Sequence, residues 1–159
     1  MRQTTSLFYC LWVVFCFYGG AGQASDLAKE KRWSEQIVDA LLDGEAVYLE
    51  DGRSEFLAIE TESATGEAGK AAVVMHGTGV HPDWPQVIQP LRTGLPEKGW
   101  ATLSLQMPVL GNEAEDKDYV PVFDEVPGRI QAGLDFLSQR NIKNIVLIGH
   151  SLGTNMATD

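Results

Sequence analysis

The sequence has 159 residues, of which 44% are hydrophobic and 21% are charged, a balance typical of one folded globular domain. Its formal net charge is -10 at pH 7. So acidic a chain argues against nucleic-acid binding, because that affinity comes largely from Lys and Arg side chains on phosphates.

The first 24 residues have the pattern of a secretory signal peptide. Arg2 gives a positive start, an unbroken apolar run extends from Leu7 to Tyr18, and residues 22–24 (GQA) form a small-residue exit. We expect cleavage after Ala24 and export to the periplasm or out of the cell. The alternative is an uncleaved anchor, but this run is shorter than the roughly 20 residues that a helix needs to cross a bilayer. We therefore expect no stable membrane insertion after cleavage.

Both cysteines, Cys10 and Cys16, lie inside this segment. The mature chain would therefore have no disulfide, no thiol nucleophile and no thiolate metal site. Removing residues 1–24 takes away Arg2 and no acidic residue, so the net charge would change from -10 to -11.

The mature domain, residues 25–159, is predicted to begin with a helix and a β-hairpin. Asp26 can cap a helix that runs to about Leu42 with apolar residues at helical spacing. Strands over Ala46–Glu50 and Ser54–Glu60 flank Asp51-Gly52, a dipeptide suited to a tight turn. Residues 61–70 are small, polar and charged, and predict a loop.

From residue 71 the pattern alternates between strands and helices. The predicted elements are a strand Ala71–Met75, a helix Trp84–Leu95 that Pro90 would bend or restart, a strand Trp100–Leu105, an acidic loop over residues 107–123, a helix from Asp124, and a buried strand Asn144–Ile148. A hairpin followed by this alternation predicts an α/β fold with a mostly parallel sheet and helices on both sides.

Ser151 is the candidate catalytic nucleophile. It is the central residue of the segment 149–153 (GHSLG), directly after a predicted buried strand. A sharp strand-to-helix turn would expose its hydroxyl, provided that Gly149 and Gly153 leave room for the backbone. The same turn would aim the Leu152 amide at the site, where developing negative charge is stabilised. The alternative is a glycine-rich turn in which Ser151 only caps a helix.

A second chemical signal lies upstream of this turn. Acyl transfer needs another amide donor for the oxyanion, from the loop after the third strand. Residues 76–79 (HGTG) follow a buried strand at that place in the order. We predict the Thr78 amide as this donor, with Gly77 as the next candidate. The alternative is an ordinary turn between a strand and a helix.

The histidines and the acidic loop are assigned no chemistry. His76 is expected to hold its loop by hydrogen bonds to the backbone, and His150 to point away from Ser151. His81 is expected to be a turn residue, although it could line the pocket. The acidic residues of 107–123 predict a solvated surface, so we expect neither a metal nor a cofactor.

Four short segments carry a resemblance to a known family. They are residues 76–77 (HG), 81–85 (HPDWP), 99–108 (GWATLSLQMP) and 149–153 (GHSLG). On these, residues 71–158 resemble the α/β-hydrolase superfamily and, more narrowly, an uncharacterised group of exported Gram-negative hydrolase-like proteins. The resemblance implies the N-terminal portion of an α/β-hydrolase fold, with an initial hairpin and then a mostly parallel sheet through strand 5. It also implies that the fold is incomplete, since the acid and the histidine of a triad would follow later strands.

The function that this resemblance implies is serine hydrolysis in the full-length form. The expected substrate is an ester, thioester or amide with a small-molecule or lipid-like acyl group, cleaved through an acyl-enzyme without a cofactor. Because triad members act as a unit, we expect this chain alone to be inactive, and its fifth strand to be an open edge. The alternative is a non-catalytic ligand-binding or cell-envelope protein, since a fold does not determine a function.

Overall fold

The structure, a computed structural model, describes residues 25–66 and 69–158. The predicted signal segment and its cysteines lie outside these ranges. No helix within the ranges is long and apolar enough to span a membrane. The α-helices and strands in chain order are α1 (Leu27–Ala40), β1 (Glu45–Glu50), β2 (Glu55–Thr61), β3 (Lys70–Met75), α2 (Ile88–Gly94), β4 (Ala101–Leu105), α3 (Val126–Gln139), β5 (Asn144–Gly149) and α4 (Leu152–Met156).

The five described strands form one sheet in the order β1-β2-β4-β3-β5. The hairpin β1-β2 is antiparallel and joins β4 antiparallel, whereas β3 runs parallel to both β4 and β5. The predicted hairpin turn is confirmed: Gly52 has a φ of +86°, and the Asp51 carboxylate accepts from the N–H groups of Arg53 and Ser54. The result is an α/β fold whose parallel strands follow the hairpin.

Strand β3 lies at the centre of the core. Residues 71–75 are at most 1% exposed, because β4 and β5 flank the strand and other elements cover both of its faces. Strand β5 lies at the edge of the described sheet, and its Val146 and Leu147 are 41% and 40% exposed. Because β3 and β5 are neighbours that run parallel, the two loops that leave them emerge side by side.

Two helical predictions are wrong in their bounds. Helix α2 begins only at Ile88, so Pro90 lies in its first turn, where N–H groups have no intrahelical acceptor and proline causes no bend. The segment predicted as an acidic loop contains a 3-10 helix over Asp116–Glu125, with Glu115 at its cap. Helix α3 consequently begins at Val126 rather than at Asp124.

Candidate active site

Ser151 lies in a sharp turn between β5 and α4. Its backbone φ is +54° and its ψ is -125°, a conformation that a non-glycine residue rarely adopts and that costs of the order of 1–3 kcal/mol. The residue is exposed, and its side chain makes no capping hydrogen bond to α4. This geometry does not fit a serine that only caps a helix.

Two glycines permit this turn because side chains at their positions would enter the main chain. A Cβ atom at Gly153 would lie 2.6 Å from the carbonyl oxygens of both Met75 and His76. A Cβ atom at Gly149 would collide with the backbone of Gly153 and Thr154. The elbow therefore packs directly on the end of β3, with no space for a methyl group.

Gly153→Ala should disrupt the elbow. The new methyl group would meet two carbonyl oxygens that belong to the backbone at the end of β3, so relief requires α4 to move away from the sheet. We expect a loss of about 1–3 kcal/mol in the free energy of unfolding, measured by chemical denaturation. Gly94→Ala is the matched control, because nothing lies within 4 Å of its Cβ position and alanine favours the helix. Equal stability of the two variants would contradict the prediction.

The loop after β3 lies against the serine turn. A Cβ atom at Gly77 would lie 2.9 Å from Cβ of Ser151 and 3.2 Å from the amide nitrogen of Leu152. Leu152 is the first residue of α4, so its N–H group has no intrahelical acceptor. The backbone of Gly77 and the Leu152 amide thus border the same space beside Ser151. Their binding of an oxyanion stays a prediction.

Thr78 is held by the acidic segment. Its hydroxyl donates to a carboxylate oxygen of Asp116 at 2.6 Å, and Asp116 is the first residue of the 3-10 helix. The contact restrains the residue that is predicted as the second amide donor. Sequence reasoning missed Asp116, because it is one of several acidic residues in its segment and no spacing distinguishes it from the others.

His76 holds the same loop through its buried ring. Its ring is fully buried, and Nε2 accepts from the N–H of Met107 at 2.9 Å and from the Gln106 amide at 3.0 Å. The ring proton therefore lies on Nδ1, which donates to the Gly77 carbonyl at 2.9 Å. Burial lowers the pKa of His76 to about 3. His76 is a neutral support of the loop, as the sequence predicts.

His76 should stay neutral in the folded protein down to about pH 3, as its lowered pKa requires. NMR spectra of the imidazole nitrogens should show the Nδ1–H tautomer, with no titration near the usual pKa of 6.5. Because the unfolded chain takes up the proton first, this contribution to stability is present above pH 6.5 and declines towards pH 3. A ring that titrates near its usual pKa in the native state would contradict this structure.

The other two histidines contact residues other than Ser151. Nδ1 of His81 accepts from the N–H of Asp83, its ring meets the edge of Trp33, and burial lowers its pKa. The centroid of the His150 ring lies 5.7 Å from the centroid of the Trp84 ring. These are all three histidines of the sequence, and their contacts identify none of them as the base for Ser151. Within the described ranges, no group of three or more His, Asp or Glu side chains could hold a metal.

A cavity of about 380 Å³ lies between α1 and the hairpin. Residues such as Leu27, Tyr48 and Phe56 line it, and none of its lining residues belongs to the elbow or to the loop after β3. The cavity is therefore separate from the chemistry of Ser151, and we do not assign the substrate to it.

Solved structures show the same fold. Est1E from Butyrivibrio proteoclasticus matches with a TM-score of 0.55 and 20% identity, over 72% of this chain and 43% of its own. A dienelactone hydrolase-like promiscuous phosphotriesterase from metagenomic libraries matches at 0.58 and 18%, over 72% and 52%. An α/β serine hydrolase without a lid from Xanthomonas campestris matches at 0.53 and 15%, over 72% and 54%. The chain thus spans about half the length of these proteins.

A family model also matches the sequence. It is described as "Protein of unknown function (DUF3530)" and covers residues 22–121, more than half of the chain. No curated protein sequence gives a significant match. The matched range contains the hairpin, the loop after β3 and the Thr78–Asp116 contact. This protein is a member of the DUF3530 family, and its fold is that of the α/β hydrolases.

Proposed function

We propose that the full-length protein is a serine hydrolase that cleaves a carboxylic ester, thioester or amide through an acyl-enzyme. The observation that carries the proposal is the exposed hydroxyl of Ser151 at a strained turn, beside the Leu152 amide and the backbone of Gly77. Similarity to proteins described as a dienelactone hydrolase-like phosphotriesterase and an α/β serine hydrolase supports hydrolysis as the general activity.

The chemistry begins with Ser151. Its Oγ attacks the carbonyl carbon while its proton passes to a histidine base, and the carbonyl π electrons move to oxygen. Collapse of this tetrahedral intermediate expels the leaving group, which takes up that proton and leaves the acyl group on Ser151. Water then adds to the acyl-enzyme in the same way and releases the carboxylic acid. The proposal assigns the base and its acid partner to no residue of the described ranges.

The oxyanion is stabilised by main-chain N–H groups in this proposal. Leu152 supplies one donor at the N-terminus of α4, and the loop after β3 supplies the other through Thr78 or Gly77. Support comes from two independent restraints on that loop: the hydrogen bond from Nδ1 of His76 to the Gly77 carbonyl, and the Thr78–Asp116 contact. A loop fixed at both points is preorganised and needs no reorganisation when charge develops.

We place this activity in the periplasm or outside the cell, on small-molecule or lipid-like acyl substrates. The signal-peptide pattern of residues 1–24 supports export. The strongly acidic chain disfavours polyanionic substrates such as nucleic acids.

Labelling of the full-length protein with a fluorophosphonate probe tests the proposal. We expect one covalent adduct, located by mass spectrometry on the peptide that follows Lys143 and contains Ser151. Protein denatured before labelling should give no adduct, because an unassembled serine hydroxyl is a weak nucleophile. Folded protein that takes up no probe would contradict the proposal and favour a non-catalytic binding protein.

A further inference from the structure

A buried charge cluster joins α1, the hairpin turn and α3. Its only cation is Arg129, whose side chain is completely buried. Its guanidinium lies 3.0 Å from Glu30, 3.3 Å from Asp51 and 3.8 Å from Glu125. Nη1 of Arg129 donates in addition to the carbonyl of Gln106 at 2.9 Å. One guanidinium therefore faces three carboxylates.

The cluster is short of positive charge. With one guanidinium against three carboxylates, its formal charge is −2 when all four groups are ionised. Buried carboxylates are stable only when they are paired and hydrogen-bonded. The nearby Lys29 gives its ammonium group to the Leu110 carbonyl, at 2.7 Å. A further cation beside Glu125 would reduce the imbalance.

Ser25 forms hydrogen bonds to the Glu125 carboxylate. Its main-chain nitrogen donates to Oε1 at 3.0 Å, and its hydroxyl donates to Oε2 at 2.7 Å. Ser25 is only 8% exposed, and the next residue, Asp26, is anchored by its N–H to the Val109 carbonyl at 2.7 Å. Both oxygens of a buried carboxylate are thus occupied by one residue at the start of the described chain.

The position of Ser25 in the sequence links this contact to signal-peptide cleavage. Ser25 directly follows Ala24, where the signal-peptide pattern predicts cleavage. Hydrolysis of the Ala24–Ser25 bond adds one water: Ala24 leaves as a carboxylate, and the Ser25 nitrogen becomes an amine that is largely protonated at pH 7. The nitrogen that donates to Glu125 would then carry a full positive charge.

We propose that signal-peptide removal creates a buried ion pair between the new α-ammonium group of Ser25 and the carboxylate of Glu125. The ammonium reduces the excess negative charge of the cluster from −2 to −1 and ties the start of α1 to the start of α3. Cleavage therefore completes the packing of the N-terminal helix, in addition to separating the mature protein from its signal peptide. The uncleaved chain offers only a neutral amide N–H at the same position.

The test uses the full-length exported protein. N-terminal sequencing should give Ser25 as the first residue. An amine-acylating reagent applied to the native protein should modify the Ser25 amine at least about tenfold more slowly than in Glu125→Gln, because the paired amine is buried. Glu97→Gln, in an exposed position, is the matched control and should label as slowly as the wild type. A different N-terminus, or equal labelling rates in wild type and Glu125→Gln, would overturn the proposal.

A second comparison leaves Glu125 intact. One glycine added before Ser25 moves the charged amine one residue away from Glu125 and replaces it with an amide. The extended protein should unfold at a lower temperature than the protein that begins with Ser25. Identical unfolding temperatures would overturn the proposal even if Glu125→Gln failed to fold.

Discussion

Ser151→Ala should reduce kcat for ester hydrolysis by the full-length protein by roughly 10⁶-fold, the scale seen when a serine nucleophile is removed. Alanine keeps the Cβ atom and meets the same positive φ as serine, so the turn itself is unchanged. The loss arises because no other group in the turn can form the acyl-enzyme. A steady-state assay with a chromogenic short-chain ester measures it.

Ser138→Ala is the matched control for this substitution. Ser138 is an exposed serine near the end of α3 and takes no part in the elbow or the loop after β3. Its replacement should leave kcat and KM unchanged. Circular dichroism should show the same spectrum for both variants and the wild type. If Ser151→Ala keeps wild-type kcat, the hydroxyl is not the nucleophile and the proposed mechanism is wrong.

Arg129→Met should cause a large loss of stability. Methionine fills much of the space but removes the guanidinium that Glu30, Asp51 and Glu125 share. Removal of one partner from a buried ion pair typically costs about 3–5 kcal/mol. For a domain of this size we expect the unfolding temperature to fall by about 10 °C.

Arg140→Met makes the same chemical change at the other end of α3. Arg140 pairs with Glu60 at 2.9 Å, but its side chain is 43% exposed. An ion pair that is this accessible contributes at most about 1 kcal/mol. Thermal unfolding monitored by circular dichroism should therefore separate the two variants clearly. Similar unfolding temperatures would show that the buried cluster does not have the importance that its geometry indicates.

The sequence predicts the parts of this fold that depend on neighbouring residues. The hairpin follows from Asp51-Gly52 between alternating strands, and β3 follows from a short apolar run. The 3-10 helix Asp116–Glu125 was missed, because a segment with Pro121 inside it and many acidic residues resembles a loop. The buried position of Arg129 was also missed, since its partners Asp51 and Glu30 are remote in sequence and only the tertiary fold brings them together.

In the candidate site, too, only some features could be predicted from the sequence. The turn at Ser151 and its two glycines could be predicted, because each requirement is a residue type at a fixed offset. The support of the loop by His76 could be predicted as a role, but its partners Gln106 and Met107 lie on a different strand end. The Thr78–Asp116 contact had no signal in the sequence, because it joins the loop after β3 to the start of the 3-10 helix, 38 residues further along the chain.

The pairing of β3 with β5 sets the alignment of the whole site. Met75 stands opposite Gly149 in this parallel pair, and the N–H of His150 continues the ladder to the Met75 carbonyl at 3.0 Å. A slip of one residue would displace the serine by about 3.3 Å relative to Gly77 and turn every side chain of β5 to the opposite face. Hydrogen bonds in the interior of the sheet therefore set the spacing between the Ser151 hydroxyl and the amide donors.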